Sequence, residues 1–253
     1  MPRLPAISLI TITHNEEQLI AQNLRSASFC SELIVVDSFS SDRTAEIAES
    51  MGAHVTRREF TNYVDQKQFA LDQASGEWVL LLDADEQATY GLAREIERAL
   101  TSPSPADGYR IRRVLYHLSH YYTRPIYPDR PVRLFRRARG HIGGRDQHDK
   151  VIVDGRLGQL QAPILHFSYR DVADHVATMN RFSTRASLEH EPGFGAAFKM
   201  FANPAWRFFN FYFLRGGFRD GGRGLYAAMT AAFYVFLKYA KLYERRLKSR
   251  HPL

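Results

Sequence analysis

The chain has 253 residues, 45% hydrophobic and 24% charged, which is enough to bury one sizeable core and excludes a disordered protein. Its single cysteine, Cys30, excludes an internal disulfide and a cysteine-based metal cluster, and it fits a reducing compartment. The formal net charge of +7 is unevenly divided, because residues 1–100 hold 8 Lys and Arg against 16 Asp and Glu, whereas residues 101–253 hold 26 against 11.

The first hundred residues predict strands that alternate with helices. Apolar, β-branched runs predict strands at 6–12, 33–36, 54–56 and 78–82. Helices are predicted from near Glu16, with Asn15 as N-cap, and at 43–51 and 62–74. This order is typical of a doubly wound α/β fold with a mostly parallel sheet.

The stretch from Trp78 to Glu86, WVLLLDADE, predicts a strand buried on both faces that ends in acids. Ligands bind at the carboxyl ends of strands in such sheets, and Asp83 and Asp85 could together hold one hard divalent cation that neutralises a diphosphate. A solvated acidic loop is the alternative for this string taken alone. Asp37, at the end of another predicted strand, presents a carboxylate on the same edge of the sheet and favours a site there.

Beyond residue 101 the pattern changes. Strands are predicted at 109–115, 131–136, 151–153 and 164–166, with a proline-broken loop at 116–130. Residues 139–150, RGHIGGRDQHDK, are rich in glycine and charge and predict an active-site loop. The rest is predicted as helices at 172–190, 196–214 and 225–250.

A family resemblance rests on six stretches that follow one another across nearly the whole chain. They are SLITITHNEE, LIVVDSFSSDRTAEIA, QKQFALDQASGEWVLLLDADE, YPDRPVRLFRR, GRDQHDKVIVDG and GLYAAMTAAFYVFLKYAKLYE. Together they resemble family 2 (GT-A fold) glycosyltransferases, especially the bacterial branch that includes lipopolysaccharide core β-glucosyltransferases. The resemblance implies a Rossmann-like GT-A fold and transfer of a hexose from a nucleotide sugar, usually a UDP-sugar, with inversion at the anomeric carbon.

The resemblance also implies a metal and diphosphate site. It makes Asp85, with Asp83 beside it, the ligand of a Mg²⁺ or Mn²⁺ ion that bridges the donor diphosphate. Lys67 matches a basic position near the diphosphate, and Arg133 could add positive charge beside phosphate oxygens. The alternatives are a solvated Lys67 on an amphipathic helix and a structural ion pair for Arg133.

At the nucleoside, the resemblance places Thr13 and His14 along the donor pocket. Asp37 and Ser38 fall in the motif that contacts uracil or ribose, with Ser38 where most family members have a second acid. The alternatives are that Asp37 only caps the segment that follows it and that His14 is a structural histidine, as His166 is expected to be.

For catalysis, the resemblance makes Asp149 the base that takes the proton of the acceptor hydroxyl. The branch usually has Glu at this position, so the carboxylate here is one methylene shorter. His148 would orient Asp149 or bind acceptor. The alternatives are an exposed loop acid and a histidine that packs the loop.

The basic second half predicts an anionic partner. Aromatic and basic residues interleave on its predicted helices, which is typical of a protein on an anionic membrane surface; packing of the aromatics onto the sheet is the alternative. No nucleic-acid-binding motif is found, and nucleic acid is not expected as a partner. With no transmembrane segment or signal peptide, we expect a cytoplasmic protein, peripheral on the inner face of the bacterial inner membrane.

We therefore expect a catalytic domain at 1–168 and a membrane-associating helical region at 169–253. Within the first, residues 1–100 would bind the nucleotide sugar and residues 101–168 a lipid-linked saccharide, such as a lipopolysaccharide core. The same chemistry on polyprenyl phosphate or protein is the first alternative. A non-catalytic protein that binds nucleotide sugar or nucleic acid is the second, less favoured alternative.

Overall fold

A computed structural model describes residues 5–123, 126, 129–145, 148–188 and 195–250. The chain divides into two compact units, Met1–Val114 with Asp129–His166, and Leu115–Pro128 with Phe167–Leu253. The functional division expected at residue 168 stays a prediction.

The strands predicted in the first hundred residues form the parallel half of one sheet in the first unit. They are β1 (Ile7–Thr13), β2 (Glu32–Asp37), β3 (His54–Arg57) and β4 (Trp78–Leu81). β1 pairs in parallel with β2 and β4, and β2 with β3. The intervening helices are α1 (Ile20–Ser26), α2 (Thr44–Ser50) and α3 (Tyr63–Asp72). The predicted α/β class is confirmed, and β1, β2 and β4 end at one edge of the sheet.

Seven more strands follow along the chain. They are β5 (Glu86–Ala88), β6 (Gly108–His117), β7 (His120–Tyr122), β8 (Val132–Arg136), β9 (Gly140–Arg145), β10 (His148–Val153) and β11 (Leu157–His166). All of them except β9 and β10 extend this sheet, and α4 (Tyr90–Leu100) lies between β5 and β6. The order is β3-β2-β1-β4-β8-β6-β11-β5, and β9 and β10 form a separate antiparallel hairpin. This arrangement brings β8 beside β4, and the end of β11 beside β5.

β4 is buried on both faces, as predicted. Trp78 and Leu80 belong to one apolar cluster, and Val79 and Leu81 to another. Each of these side chains is at most 2% exposed, and burial of a large apolar side chain contributes about 2 kcal/mol to stability. The acids that follow β4 are therefore attached to the most firmly buried part of the sheet.

Three local predictions were wrong. The loop expected at 116–130 contains the end of β6 and the whole of β7. α1 begins at Ile20 and Asn15 is not its cap, because Asn15 has a left-handed backbone (φ 56°) and its Oδ1 accepts a hydrogen bond from Ser41 N at 2.8 Å. The β9–β10 hairpin occupies residues 140–145 and 148–153, whereas a loop was expected at 139–150; the strand predicted at 151–153 is confirmed as the end of β10. Gly143 serves close packing there, since a Cβ at this position would lie 2.6 Å from Ile152 Cδ1.

The second unit is mainly helical, as predicted. Its helices are α5 (Val172–Leu188), α6 (Ala196–Phe209), which continues as a π-helical turn (Asn210–Leu214), and α7 (Gly221–Arg250). A ring cluster joins the end of β6 to α5 and α7: the Tyr226 hydroxyl lies 2.7 Å from His175 Nδ1 and 3.3 Å from His117 Nε2. Over the described residues, none of the helices is long and apolar enough to span a membrane.

Candidate active site

The acids after β4 lie in a turn held by buried hydrogen bonds. Asp83 N donates to Glu86 Oε2 at 3.0 Å, and Glu86 N donates to the Asp83 carbonyl at 2.8 Å. Asn23 on α1 is fully buried, and its Nδ2 donates to the carbonyls of Asp83 and Glu86 at 2.9 and 2.7 Å. The backbone that carries Asp83 and Asp85 is thus fixed to both the sheet and α1.

Two cations lie within hydrogen-bond distance of Asp83, and Arg113 lies farther away, at 3.9 Å. Asp83 Oδ1 lies 2.8 Å from Lys67 Nζ, and Asp83 Oδ2 lies 2.7 Å from Arg133 Nη2. Burial alone would raise the pKa of Asp83, but the charges of Arg133 and Lys67 outweigh burial and hold this pKa well below its usual range. Three of the predicted site residues, from α3, the turn after β4, and β8, therefore meet in one ion-pair cluster.

Lys67 also contacts Asp149 on β10, with 2.8 Å between Nζ and Oδ2. The Lys67 side chain is 7% exposed, so the alternative of a solvated lysine is excluded. Burial alone would lower the pKa of Lys67, but the carboxylates of Asp83 and Asp149 reverse the effect and raise it. The structure thus places the predicted base, 82 residues along the chain from Lys67, beside the acid turn.

Arg133 lies in a second group of buried charges. Its Nη2 is 2.8 Å from Glu86 Oε1, whose side chain has no exposure, and Arg113 Nη1 lies 3.0 Å from the same oxygen. Arg113 also pairs with Asp129 at 2.6 Å. A structural ion pair, one of the two alternatives for Arg133, is what these contacts show; its contact with donor phosphates stays a prediction.

Asp85 has a different partner from Asp83. Its Oδ2 lies 3.1 Å from Nε2 of His166, the last residue of β11. Burial alone would lower the pKa of His166, but the Asp85 carboxylate outweighs it and raises this pKa. Two ligand atoms about 2.1 Å from one octahedral ion, at a right angle, are about 3 Å apart, so this pair fits a divalent cation. Asp83 fits less well, because Lys67 and Arg133 occupy both of its oxygens.

The fit is limited to these two atoms. In the described part of the chain, no group of three or more His, Cys, Asp and Glu side chains is arranged to hold a metal. The remaining ligands of an ion at Asp85 and His166 would have to be oxygens of a bound molecule or water, as is usual for Mg²⁺ beside phosphates.

The predicted nucleoside residues lie together at the ends of β1 and β2, where Thr13 and Asp37 are paired in register. Asp37 is fully buried, and its Oδ2 accepts a hydrogen bond from Ser40 N at 2.9 Å, as the capping alternative requires. His14 Nδ1 lies 3.0 Å from the Ser38 carbonyl. Thr13 Oγ1 is buried without a hydrogen-bond partner among the described residues.

Of the predicted catalytic pair, Asp149 is described and the side chain of His148 lies outside the described residues.

Comparison with known proteins decides the family. A family model described as "Glycosyl transferase family 2" matches residues 8–151, from β1 into β10. The chain belongs to glycosyltransferase family 2. It is accordingly a sugar-transferring enzyme, and the matched residues contain the whole charge cluster around Lys67 and Asp83.

Relatives of this glycosyltransferase extend over its full length. It is 32% identical to "Lipopolysaccharide core biosynthesis glycosyltransferase LpsC" of Rhizobium meliloti, over 100% of this chain and 97% of the relative. It is 31% identical to an uncharacterized glycosyltransferase of Rickettsia felis, over 98% and 93% of the two chains.

Two solved structures are similar to the glycosyltransferase at lower identity. TarS of S. aureus, residues 1–349, is 16% identical, with a TM-score of 0.45 over 95% of this chain and 92% of that one. Glucosyl-3-phosphoglycerate synthase of Mycobacterium tuberculosis, solved with Mn²⁺ and UDP-glucose, is 23% identical, with a TM-score of 0.37 over 44% of each chain.

Sequence reasoning missed part of this glycosyltransferase's charge cluster. His166 was expected to be a satisfied structural histidine, and its contact with Asp85 agrees with that; that Asp85 is its partner was not foreseen, and its position at the end of a predicted strand was the available signal. Arg113 and Asn23 carry no motif, and only the packing of β6 and α1 against the acid turn reveals them. Glu86 closes the acidic string, and its full burial and two arginine partners give it a structural role.

Proposed function

We propose that this glycosyltransferase transfers a hexose from a nucleotide sugar, in the first place a UDP-sugar, to a lipopolysaccharide core or related glycolipid, with inversion. The observation that carries the proposal is the meeting of Lys67, Asp83 and Asp149 beside the Asp85–His166 pair, at the sheet edge of a family 2 enzyme. The acceptor class is supported by the full-length similarity to the R. meliloti relative named for lipopolysaccharide core biosynthesis.

In this proposal the residues divide the chemistry between leaving group and acceptor. Inverting transfer needs a base for the acceptor hydroxyl, and Asp149 supplies that carboxylate. Lys67 and Arg133 bring positive charge to the diphosphate, while Thr13, His14, Asp37 and Ser38 border the nucleoside. Asp85 and His166 would hold the divalent ion, with Asp83 beside them. Such an ion stabilises the charge that develops on a departing nucleoside diphosphate.

The proposed ligand pair favours Mn²⁺ over Mg²⁺. A carboxylate suits both ions, but imidazole nitrogen is a ligand typical of transition metals. With His166 beside Asp85, we expect the enzyme to work with either ion and to need less Mn²⁺.

We also propose that the second unit docks on an anionic membrane surface through one face of α6 and the turn that follows it. This aromatic face consists of Phe198, Phe201, Trp206, Phe209 and Phe213, each at least 44% exposed. The face is flanked by Arg207 and Arg215, whose guanidinium groups lie over the Phe211 ring. Exposed aromatic rings next to arginines suit the boundary between lipid headgroups and acyl chains.

The regions then take the expected roles: 1–100 for the donor, 101–168 for the acceptor and 169–253 for the membrane. A docked enzyme would meet a lipid-borne acceptor on the surface that it binds, which supports a glycolipid over a soluble acceptor. Polyprenyl phosphate and protein remain the alternative acceptors to be tested against it.

The first experiment is a donor screen. UDP-, GDP- and dTDP-hexoses are incubated with the enzyme and Mn²⁺ or Mg²⁺, and slow donor hydrolysis is measured. We expect turnover of a UDP-hexose that requires the metal. Asp85→Ala should abolish it, because the ion loses its carboxylate ligand.

The matched control is Glu49→Ala, which removes one exposed carboxylate from α2 and should leave turnover unchanged. Near-normal metal-dependent turnover by the Asp85→Ala variant would remove the proposed metal site. Transfer to polyprenyl phosphate, with none to a lipopolysaccharide core, would change the acceptor and keep the donor chemistry.

A further inference from the structure

Lys67 is a buried ammonium shared by two carboxylates from distant parts of the chain. Its Nζ lies 2.8 Å from both Asp83 Oδ1 and Asp149 Oδ2. The Asp83 and Asp149 side chains are 26% and 17% exposed. Because little water reaches these atoms, the two ion pairs are less screened than pairs on the surface.

The two carboxylates are not held equally. Asp83 is fixed from both sides, because Arg133 binds its second oxygen at 2.7 Å. For Asp149, Lys67 is the one cation in contact among the residues that the structure describes. The Lys67 ammonium is a compact charge with three hydrogen-bond donors at the end of a flexible side chain. Added negative charge near Asp83 would therefore draw the ammonium away from Asp149, the more weakly held of its two partners.

We propose that Lys67 couples donor binding to release of the base: a nucleoside diphosphate at the acid turn draws the ammonium away from Asp149, and the freed carboxylate then accepts the acceptor proton. This inference rests on the proposed function, since it takes Asp149 as the base and places the diphosphate beside Lys67. Asp149 and the diphosphate thus compete for one cation.

The coupling sets the order of the reaction. While Lys67 donates to Asp149 Oδ2, that oxygen is engaged in the hydrogen bond and is not available to the acceptor O–H. Once the ammonium has moved to phosphate oxygens, Asp149 takes the proton from the acceptor O–H. The acceptor oxygen forms the new bond to the anomeric carbon, and the bond to the diphosphate breaks with its electron pair leaving on the nucleoside diphosphate. Acceptor deprotonation therefore follows donor binding.

The test is whether removal of the base tightens nucleotide binding. UDP affinity is measured by calorimetry with Mn²⁺ on the full chain. Asp149→Asn removes the competing anion and should tighten UDP binding on the order of tenfold, while sugar transfer is lost. In a Lys67→Met background the same substitution should leave UDP affinity unchanged, because no shared cation remains.

Equal tightening in the presence and absence of Lys67 would overturn the coupling, because the effect would then be a general change of charge. Unchanged UDP affinity in the Asp149→Asn variant would overturn it as well. Asp149→Ser repeats the test if the asparagine variant does not fold. A wild-type protein that binds no UDP would instead contradict the proposed function itself.

Two control variants test whether a change in UDP affinity comes from the cation shared by Asp83 and Asp149 or only from a change of charge or side-chain shape. Asp154→Asn makes the same charge change one residue beyond β10, at a side chain that is 91% exposed, and should leave UDP affinity unchanged. Asp149→Glu keeps the anion and should also bind UDP as the wild type does. Tightening by Asp154→Asn comparable to that by Asp149→Asn would count against the coupling.

Discussion

The imidazole of His166 lies 3.1 Å from Asp85 Oδ2 and supplies the nitrogen ligand of the proposed ion. His166→Ala should raise the Mn²⁺ concentration that gives half-maximal activity by at least about tenfold, because loss of groups that hold or orient a metal commonly costs that much affinity. Mg²⁺-supported activity should fall less, since Mg²⁺ gains less from a nitrogen ligand. The measurement is donor hydrolysis titrated with each ion.

His141→Ala is the matched control, because His141 is an exposed histidine on β9. It should leave both titrations unchanged. If His166→Ala showed the wild-type Mn²⁺ requirement, Asp85 would hold the ion without this imidazole.

At the scale of elements, strands and helices could be predicted from the sequence wherever their packing is set by residues that are close together in the chain. The uninterrupted apolar run of β4 gave a strand buried on both faces, and the spacing of apolar residues gave α5, α6 and α7 nearly to their ends. β5 was missed, because Glu86–Ala88 is short and is a strand only through pairing with Ile164–His166.

The candidate site, too, could be predicted in part from the sequence. Asp37 and Asp85 could be placed at one edge because parallel strands end together. The contact between Lys67 and Asp149 could not be predicted, because it depends on how the β9–β10 hairpin packs against α3. The glycine-rich composition of residues 139–150 had indicated a loop instead of a hairpin. Long-range ion pairs among buried residues leave no local signal in one sequence.

The ring cluster that joins β6, α5 and α7 predicts a pH dependence of stability. Burial, together with the nearby His117, lowers the pKa of His175 from 6.5 to about 4, against a smaller opposing effect of Asp174. The unfolded chain therefore binds a proton more readily than the folded protein, so the free energy of unfolding should fall as the pH drops from about 6.5 to about 4. The full shift corresponds to at most about 3 kcal/mol.

Urea unfolding at several pH values between 7.5 and 4.5 measures this slope. His175→Phe keeps a ring against Tyr169, whose ring centroid is 3.8 Å from that of His175, and should flatten the fall. His54→Phe changes an exposed histidine on β3 and should keep the wild-type slope. An unaltered slope in His175→Phe would show that another group titrates in this range.

At the scale of the whole molecule, the distribution of charge parallels the proposed division of labour. The acidic first hundred residues contain Asp37 and the acid turn, whereas the second unit carries basic and aromatic residues on its helices. α6 leaves its aromatic face exposed, while Ala227, Ala228 and Leu242 of α7 are buried. Truncation of α7 would therefore damage the packing of the second unit, and substitutions on α6 give the cleaner test of membrane docking.

Phe198, Phe201 and Trp206 are 75%, 67% and 60% exposed, so their replacement by serine should change membrane binding with little effect on folding. Each ring that enters the bilayer boundary is worth roughly 1 kcal/mol or more, and the triple variant should weaken binding to phosphatidylglycerol liposomes on the order of 100-fold. Flotation measures binding, and thermal unfolding checks the fold.

Tyr90→Ser removes an aromatic ring that is 82% exposed in the first unit and should float as the wild type does. Equal flotation of the triple variant and the wild type would mean that α6 is not the docking face, and a change of oligomeric state instead would indicate that the aromatic face binds a second copy of the chain.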